Sequence, residues 1–347
     1  MKWYTTQEDI SPIITCRVRL ARNFKKYNFA AKLTKSDAEK MIEEISENLL
    51  FQQKIKFEYI NIMEKEKIEK LSLVEHHKIS LDLLRGEQPR GVLSSEDDTI
   101  HIMVNEEDHV RIQCISPGKD IQSVYDKATN VDDIIEQKME YAFDEKLGYL
   151  TSCPSNIGTG TRASYMLHLP MLERSNEIDK IFESPSAIGM TIRGIYGESS
   201  KSISGIYQIS NQFSLGRSEE DIIVDIENLT KQIVEAETSR LDKHISINRV
   251  RFEDDVYRAY GALKYARRLD VKEARKLLSI LRLGAVSGVL KSVLSGISVY
   301  GIMMNIEQGN LYLKMLSHFN GEMEFNRDMD IYRADFIRKA LDNEKDI

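Results

Sequence analysis

Thr151-Ser-Cys-Pro-Ser-Asn-Ile-Gly-Thr-Gly-Thr-Arg-Ala-Ser164 is the stretch on which the reading turns. It follows Tyr149-Leu150 and is rich in Gly, Pro, Asn and Thr, as a loop leaving a strand would be. Gly158 and Gly160 let the backbone approach a ligand closely, and the flanking hydroxyls with Arg162 suit a phosphate. Cys153 stands beside this loop. Taken alone, the segment is explained as well by an ordinary turn next to a buried thiol. It is not a Walker A loop, because no Gly-Lys-Ser/Thr follows at the required spacing. The His-Arg-Asp and Asp-Phe-Gly signatures of protein kinases are absent from the chain as well. A nucleotide would have to be held another way.

Arginines offer that way. Cys16-Arg-Val-Arg-Leu-Ala-Arg22 puts Arg17 and Arg19 on one face if the segment is a strand, since strand side chains alternate. Two guanidinium forks side by side match phosphate oxygens bidentately. Arg111, Arg162 and Arg193 lie in or after segments rich in turn residues or acids. Singly, each is best read as a solvated surface arginine, and only a joint arrangement overturns that. The acids are Glu106, Glu107 and Asp108, and separately Glu198 in Arg193-Gly-Ile-Tyr-Gly-Glu198. An acidic triplet is usually a solvated turn. Yet a guanidinium, with its pKa above 12, is a poor nucleophile until it loses a proton. Two carboxylates can orient the attacking nitrogen and accept that proton, and a thiolate nearby adds a further anionic partner.

Around these segments the chain reads as a mixed body followed by a helical tail. Thr34 to Leu50 predicts a helix, with cap oxygens on Thr34, Ser36 and Asp37 and apolar residues at Ala38, Met41, Ile42, Ile45 and Leu49. Asp98-Thr-Ile-His-Ile-Met-Val104 is strand-like and runs into Asn105-Glu-Glu-Asp-His109, which places the acids at a strand end or in the loop after it. Ser218-Glu-Glu-Asp221 is a capping box that opens a helix through Leu241. Helices follow at 254–268, at 271–283 with Asp270 as cap, and at about 329–342. The boundary is expected near 245–255, which gives domains of 1–250 and 251–347.

Bulk numbers limit the function classes. In a chain of 347 residues, an apolar fraction of 41% with 30% charged is that of a globular protein with a sizeable core. No apolar run reaches the ~20 residues a bilayer requires, and the N-terminus lacks the apolar centre of a signal peptide. Three widely spaced cysteines show neither metal-ligand spacing nor a disulfide framework, so a reducing cytoplasm is expected. A net charge of −7 argues against general nucleic-acid affinity.

Together these segments resemble the phosphagen (guanidino) kinases, the group that contains creatine kinase and arginine kinase. Cys-Arg-Val-Arg at 16–19 is similar to their Ser-Arg-Val-Arg strand, with Cys16 for the usual Ser. Asn105-Glu-Glu-Asp-His-Val-Arg111 is similar to their Asn-Glu-Glu-Asp-His-x-Arg motif. Cys153-Pro-Ser-Asn-Ile-Gly-Thr-Gly-Thr-Arg162 is nearly letter for letter their Cys-Pro-[Ser/Thr]-Asn-x-Gly-Thr-Gly-x-Arg loop. The motifs stand in the family's order and the likeness spans about residues 11–245. It implies an α+β fold, an antiparallel sheet flanked by helices, here with a C-terminal helical domain.

The resemblance also implies roles. Arg17, Arg19, Arg111, Arg162 and Arg193 would cradle the phosphates of ATP, with Mg2+ arriving on the nucleotide and no dedicated metal cage. The nucleotide-binding segments carried over are Thr15, Cys16 and Val18 beside those first two arginines; Ala163, Ser164, Tyr165 and Met166 after Arg162; and Gly194, Ile195, Tyr196, Gly197 and Glu198 after Arg193. His77, in Val74-Glu-His-His-Lys-Ile-Ser80, matches a histidine that contacts the nucleotide. Glu107 would be the principal carboxylate for the guanidinium, Glu198 the second, and Cys153 the active-site thiolate.

Small-molecule members carry a helical domain before the Ser-Arg-Val-Arg strand and close loops from it over the substrate. Here that strand begins near residue 15 and about a hundred residues follow the kinase-like region, an arrangement that with Thr191-Ile-Arg-Gly-Ile-Tyr-Gly-Glu-Ser-Ser200 closely resembles the bacterial protein arginine kinases. An uncovered site admits an arginine on a polypeptide. That branch implies as partners a heat-shock repressor and other protein substrates, a small zinc-binding activator protein, a ClpC-type unfoldase and a second copy of the chain, with no nucleic acid and no membrane. It also implies a phosphoarginine site at an Arg-Asp-x-x-Arg-Ala motif. The aligned stretch is Met329-Asp-Ile-Tyr-Arg-Ala334, which keeps Asp330, Arg333 and Ala334 but has Met329 for the first arginine. Two other readings stand beside this one: a kinase for free arginine or another small guanidino compound, and a weakly active adaptor that binds phosphoarginine. Retention of Glu107, Glu198, Cys153 and five arginines disfavours the adaptor.

Overall fold

The computed structural model describes residues 2–5, 11–50, 55–175, 177–178, 189–194, 202, 204–319 and 325–342. Strand β1 (Ile13–Arg22) runs through the middle of an eight-stranded sheet. The others are β2 (Phe57–Asn61), β3 (Gly91–Ser95), β4 (Ile100–Val104), β5 (Val110–Pro117), β8 (Thr161–His168), β9 (Met190–Gly194) and β10 (Ile206–Asn211). A separate two-stranded hairpin pairs β6 (Phe143–Asp144) with β7 (Gly148–Tyr149). The sheet order is β2-β3-β4-β5-β1-β8-β10-β9, and each described pairing is antiparallel. The expected α+β architecture is present.

Alternation along these strands divides the sheet into two unlike faces. Cys16, Val18 and Leu20 point one way with Ile112, Cys114, Ala163, Tyr165 and Ile209, all buried in one apolar cluster. Helices α1 (Lys35–Leu50), α3 (Ile121–Glu136) and the first half of α5 (Glu219–Tyr265) cover that face. Helix α1 forms as expected: Ala38, Met41, Ile45 and Leu49 recur on its buried side, and Thr34 Oγ1 accepts the Asp37 amide at 3.1 Å. Each buried Leu or Ile there contributes about 1.5–3 kcal/mol of transfer free energy.

The opposite face changes character along its length. At one end it is apolar, with Ile14, Ile115, Met166 and Ile206 packed under the C-terminal helices. These are α6 (Val271–Val286), α7 (Val299–Asn305), α8 (Gln308–Phe319) and α9 (Phe325–Leu341). At its β3–β4 side Val92 and Met103 pack with Leu73 and Val74 of α2 (Lys67–Glu75). Between these two covers lies the cationic part of the face. Helix α5 begins at the expected Ser218 capping box but continues through the expected boundary to Tyr265, broken only by non-helical φ/ψ at Asn248. Asp270 caps α6, accepting the amides of Lys272 and Glu273 at 2.8 and 3.0 Å.

Candidate active site

Strand register builds the site. Arg17, Arg19 and Ala21 share a face of β1; Arg162 stands opposite Arg19, Ser164 opposite Arg17, and Arg111 opposite Ala21. On β10 Gln208 and Ser210 continue the same face, and Arg193 on β9 lies opposite Gln208. A cavity of about 310 Å3 opens over them, walled on its other side by Glu106, Glu107, Asp108, Asp82, Cys153, Ser155 and Asn156. All five arginines expected from the sequence line it.

The guanidinium groups are crowded and undersupplied with acceptors. Arg17 donates to Gln208 Oε1 at 2.8 Å and to Ser164 Oγ at 3.4 Å, and Arg162 to Ser210 Oγ at 3.1 Å. The Nε atoms of Arg19, Arg111 and Arg162 have no hydrogen-bond partner among the described residues. Burial, followed by the charges of Arg111 and Arg162, pushes the Arg17 guanidinium down to about 10. Burial and neighbouring arginines likewise depress Arg19 and Arg162. Guanidinium stays charged regardless, so the arrangement is satisfied by a polyanion with many acceptor oxygens. A larger groove of about 660 Å3 elsewhere offers no such demand: two of its lysines, Lys25 and Lys26, are paired with Glu140 and Glu44 at 2.6 and 2.5 Å.

The acidic triplet is sorted by its neighbours. Its residues form the β4–β5 turn, closed by the Asn105 amide on the His109 carbonyl at 2.9 Å with Asn105 at φ +59°. Glu106 is buried, takes Arg111 Nη1 on both oxygens at 2.5 and 2.6 Å, and accepts from Ser80 Oγ. Asp108 is buried and accepts from Asn23 Nδ2 and the Ser152 amide, both at 2.6 Å. Glu107 alone of the three is exposed in the cavity. Partial desolvation and the charge of Asp108 raise its carboxyl above the ordinary glutamate range, against a hydrogen bond with Cys153 that lowers it. Cys153 Sγ lies 3.1 Å from Ser155 Oγ and lines the cavity together with Arg162.

The glycine loop takes its shape from β1. Buried Arg22 donates through Nη1 to the Thr159 carbonyl at 2.9 Å, holds Asp132 through Nη2 at 2.7 Å, and stacks on Tyr149 at 3.6 Å from the ring centroid. Gly160 has φ +66°, and a Cβ there would sit 2.6 Å from the Ala21 carbonyl oxygen. Gly158 has φ +112°, and its Cβ would meet the Ser214 carbonyl oxygen at 2.7 Å. Both positions therefore require glycine.

Several residues expected at the nucleotide have side chains that do not line the cavity. Cys16, Val18, Ala163 and Tyr165 alternate with the cradle residues, so their side chains turn into the core on the far face. Thr15 is buried at the end of the cradle, and Met166 lies under the C-terminal helices. His77, at φ +59°, is off the cavity wall but close enough to feel Arg17; burial, then that charge, pushes its imidazole down to about 3. Gly194 ends β9, and Ile195, Tyr196, Gly197 and Glu198 fall outside the described residues. In α9, Arg333 is buried and donates to the carbonyls of Leu269 at 2.9 Å and Ile306 at 3.2 Å and to Asp330 at 2.7 Å. Met329 and Ala334 belong to the apolar cluster beneath it. Sequence reading missed Gln208, Ser210 and Asp82. The alternation Ile206-Tyr-Gln-Ile-Ser210 is the signal that could have found the first two.

Among the described residues no cluster of three or more His, Cys, Asp or Glu side chains is placed to hold a metal ion, and no helix is long and apolar enough to cross a membrane. Residues 37–240 match the family described as ATP:guanido phosphotransferase, C-terminal catalytic domain, and residues 249–346 match the Protein-arginine kinase McsB C-terminal domain. A protein-arginine kinase of Clostridium kluyveri is 42% identical over 346 residues, 98% of each chain. That of Bacillus subtilis strain 168 is 39% identical over 98% of this chain and 92% of its own. Among solved structures, the duplicated taurocyamine kinase from Schistosoma mansoni with bound transition state analog components is 26% identical, with a TM-score of 0.59 over 65% of this chain and 33% of that one. A lombricine kinase shares the fold at 22% identity, with a TM-score of 0.59 over 69% of both chains.

Proposed function

Because the chain belongs to the ATP:guanido phosphotransferase family, in its protein-arginine kinase branch, we infer that it transfers the γ-phosphoryl group of ATP to the guanidinium of arginine residues in proteins. The observation that carries this reading is one cavity with two chemically opposite walls. On one stand crowded, half-buried arginines, three of whose Nε atoms have no acceptor among the described residues; on the other, Glu107 and Cys153. A triphosphate fits the first and a substrate guanidinium the second.

The residues divide the work. Arg17, Arg19, Arg111, Arg162 and Arg193 hold phosphate oxygens and keep stabilising them as charge redistributes in transfer, which is where phosphoryl-transfer enzymes gain most of their acceleration. Among the described residues no cluster is placed to hold a metal, so Mg2+ would arrive on the phosphate oxygens of the nucleotide and would neutralise charge there. Glu107 orients the substrate guanidinium. As the nitrogen–phosphorus bond forms and the bond from phosphorus to the β–γ bridging oxygen breaks, one guanidinium proton passes to Glu107 and ADP leaves. A raised carboxyl pKa suits that proton transfer. Cys153, as thiolate, adds negative charge beside the substrate cation. Glu106 and Asp108 hold Arg111 and the turn in place.

Family membership further supports a cytoplasmic enzyme that marks a stress-response repressor and misfolded proteins for Clp-type proteolysis, acts with a small zinc-binding activator and assembles as a homo-oligomer. The decisive assay offers Mg-ATP with either free L-arginine or an unfolded arginine-containing protein. The expected product is an acid-labile phosphate on protein arginine, with free arginine a poor acceptor. Equal turnover on free arginine would move the enzyme to the small-molecule branch and leave the chemistry intact.

A further inference from the structure

The polarity of the cavity says where the nucleoside must go. Glu107 and Cys153 sit at the Ala21 end of β1, because the β4–β5 turn and the glycine loop both enter the sheet there. With the γ-phosphate at that end, the remaining phosphates run back along Arg19 and Arg17, about 7 Å per pair of residues. The next positions on this face are Thr15 and Met166, which lie opposite one another, and Met166 packs under the C-terminal helices. The nucleoside end is therefore bounded by a seam between the sheet and the C-terminal region.

One hydroxyl spans that seam. Tyr300 of α7 is fully buried; its Oη lies 3.0 Å from His77 Nε2 and 3.1 Å from Met166 Sδ. Tyr300 has one hydroxyl proton and gives it to Met166 Sδ, a thioether that can only accept. Oη therefore accepts from Nε2–H of His77, whose Nδ1 is the bare ring nitrogen. The rest of the His77 segment is tied to the same helices. Glu75 accepts the Gly309 and Asn310 amides of α8 at 3.0 and 2.8 Å, Ser72 Oγ donates to Asn310 Oδ1 at 2.6 Å, and Gln113 on the cavity face of β5 donates to the His77 carbonyl at 2.5 Å.

We propose that Tyr300 is a positioning residue for ATP: from the C-terminal region it fixes the ring orientation and tautomer of His77 at the nucleoside end of the cradle. The proposal rests on reading the arginine wall as the nucleotide site. It makes the C-terminal helices part of the ATP site, so movement of that region alters ATP affinity.

Tyr300→Phe keeps the buried ring and removes only the hydroxyl. The expected result is a KM for ATP raised about three- to tenfold, the range set by one lost hydrogen bond. Both kcat at saturating ATP and KM for the protein substrate should stay within about twofold of wild type. Adding Tyr300→Phe to His77→Ala should raise the ATP KM no further, since the two act as one unit. His77→Ala alone should raise it at least as much, which keeps the idea testable if Tyr300→Phe folds poorly. Arg17→Ala serves as the control for the site itself. If Arg17→Ala weakens ATP binding while Tyr300→Phe and His77→Ala do not, the proposal fails alone. Equal increments from Tyr300→Phe in wild-type and His77→Ala backgrounds would show a packing effect and also overturn it. If Arg17→Ala leaves ATP binding unchanged, the phosphates lie elsewhere and both readings fall.

Discussion

Glu106, Glu107 and Asp108 are adjacent in sequence and do three different things. Glu107→Gln removes a proton acceptor exposed in the cavity, so kcat should fall by ~10²–10⁴-fold with ATP binding largely kept. Its raised carboxyl also puts the acid limb of kcat/KM above the ordinary glutamate range of about 4.3, since the base must be ionised to act. Glu106→Gln is a different lesion. It breaks a nearly buried pair with Arg111, whose side chain is 18% exposed against 1% for Glu106. The expected cost is about 3 kcal/mol or more of stability, read as a denaturant midpoint, together with weaker ATP binding. Wild-type turnover in Glu107→Gln would make that residue a surface acid and move the base elsewhere. The motif letters pointed to the triplet and favoured Glu107 by resemblance alone. What separates the three physically is Ser80, Arg111, Asn23 and Ser152, brought together only by the fold.

At the scale of elements, local signals were read well and register was not. The Thr34, Ser218 and Asp270 caps open helices where side-chain oxygens can take orphan amides, an interaction that spans a few residues and shows in sequence. Alternation in β1 was legible too. It excludes Cys16 and Val18 from the cradle as firmly as it includes Arg17 and Arg19, a consequence that carrying over whole segments obscured. Pairings such as Arg19 with Arg162 depend on long-range antiparallel contacts that no local pattern encodes. A long-range cap of the same kind is Glu237 of α5, buried against the short helix α4 (Pro170–Arg174), where it accepts the Met171 and Leu172 amides, both at 2.8 Å. Burial outweighs those bonds and pushes its carboxyl up to about 7. A folded-state pKa raised above the unfolded value gives stability that is full at low pH and is lost as pH rises from about 4.5 to about 7. Relative to Glu237→Gln, which cannot ionise, wild type should therefore lose ground across that window in urea melts. A difference that stays constant from pH 5 to pH 8 would show that the carboxyl ionises normally.

For the whole molecule, the C-terminal region shares the sheet face that carries the cavity. Its helices bury the apolar end of the cavity-side face and hold α2, so the arginine cradle is what remains uncovered. The same packing bears on Met329–Ala334. A phosphoarginine gripped there would take its phosphate from Arg333 and its guanidinium from Asp330. Arg333, however, is buried and already divided among the carbonyls of Leu269 and Ile306 and the Asp330 carboxylate, while the second Asp330 oxygen faces Arg268 at 3.3 Å. Met329 lies in the apolar core and supplies no donor. Admitting the ligand would open a half-buried ion pair and strand two carbonyls, each unmade bond costing about 1–3 kcal/mol. In this structure Arg333 ties α9 to the α5–α6 and α7–α8 turns, and the phosphoarginine site expected at Asp330, Arg333 and Ala334 would require those bonds to open. Arg333→Ala should lower stability by about 1–3 kcal/mol in denaturant unfolding, the scale for buried carbonyls left unbonded, since Asp330 is partly exposed and keeps Arg268. Phosphoarginine titrated calorimetrically into a Cys153→Ser background should reveal no site outside the cavity. Heat from a second site that disappears in Asp330→Ala would reverse this conclusion and show that the pair opens to bind.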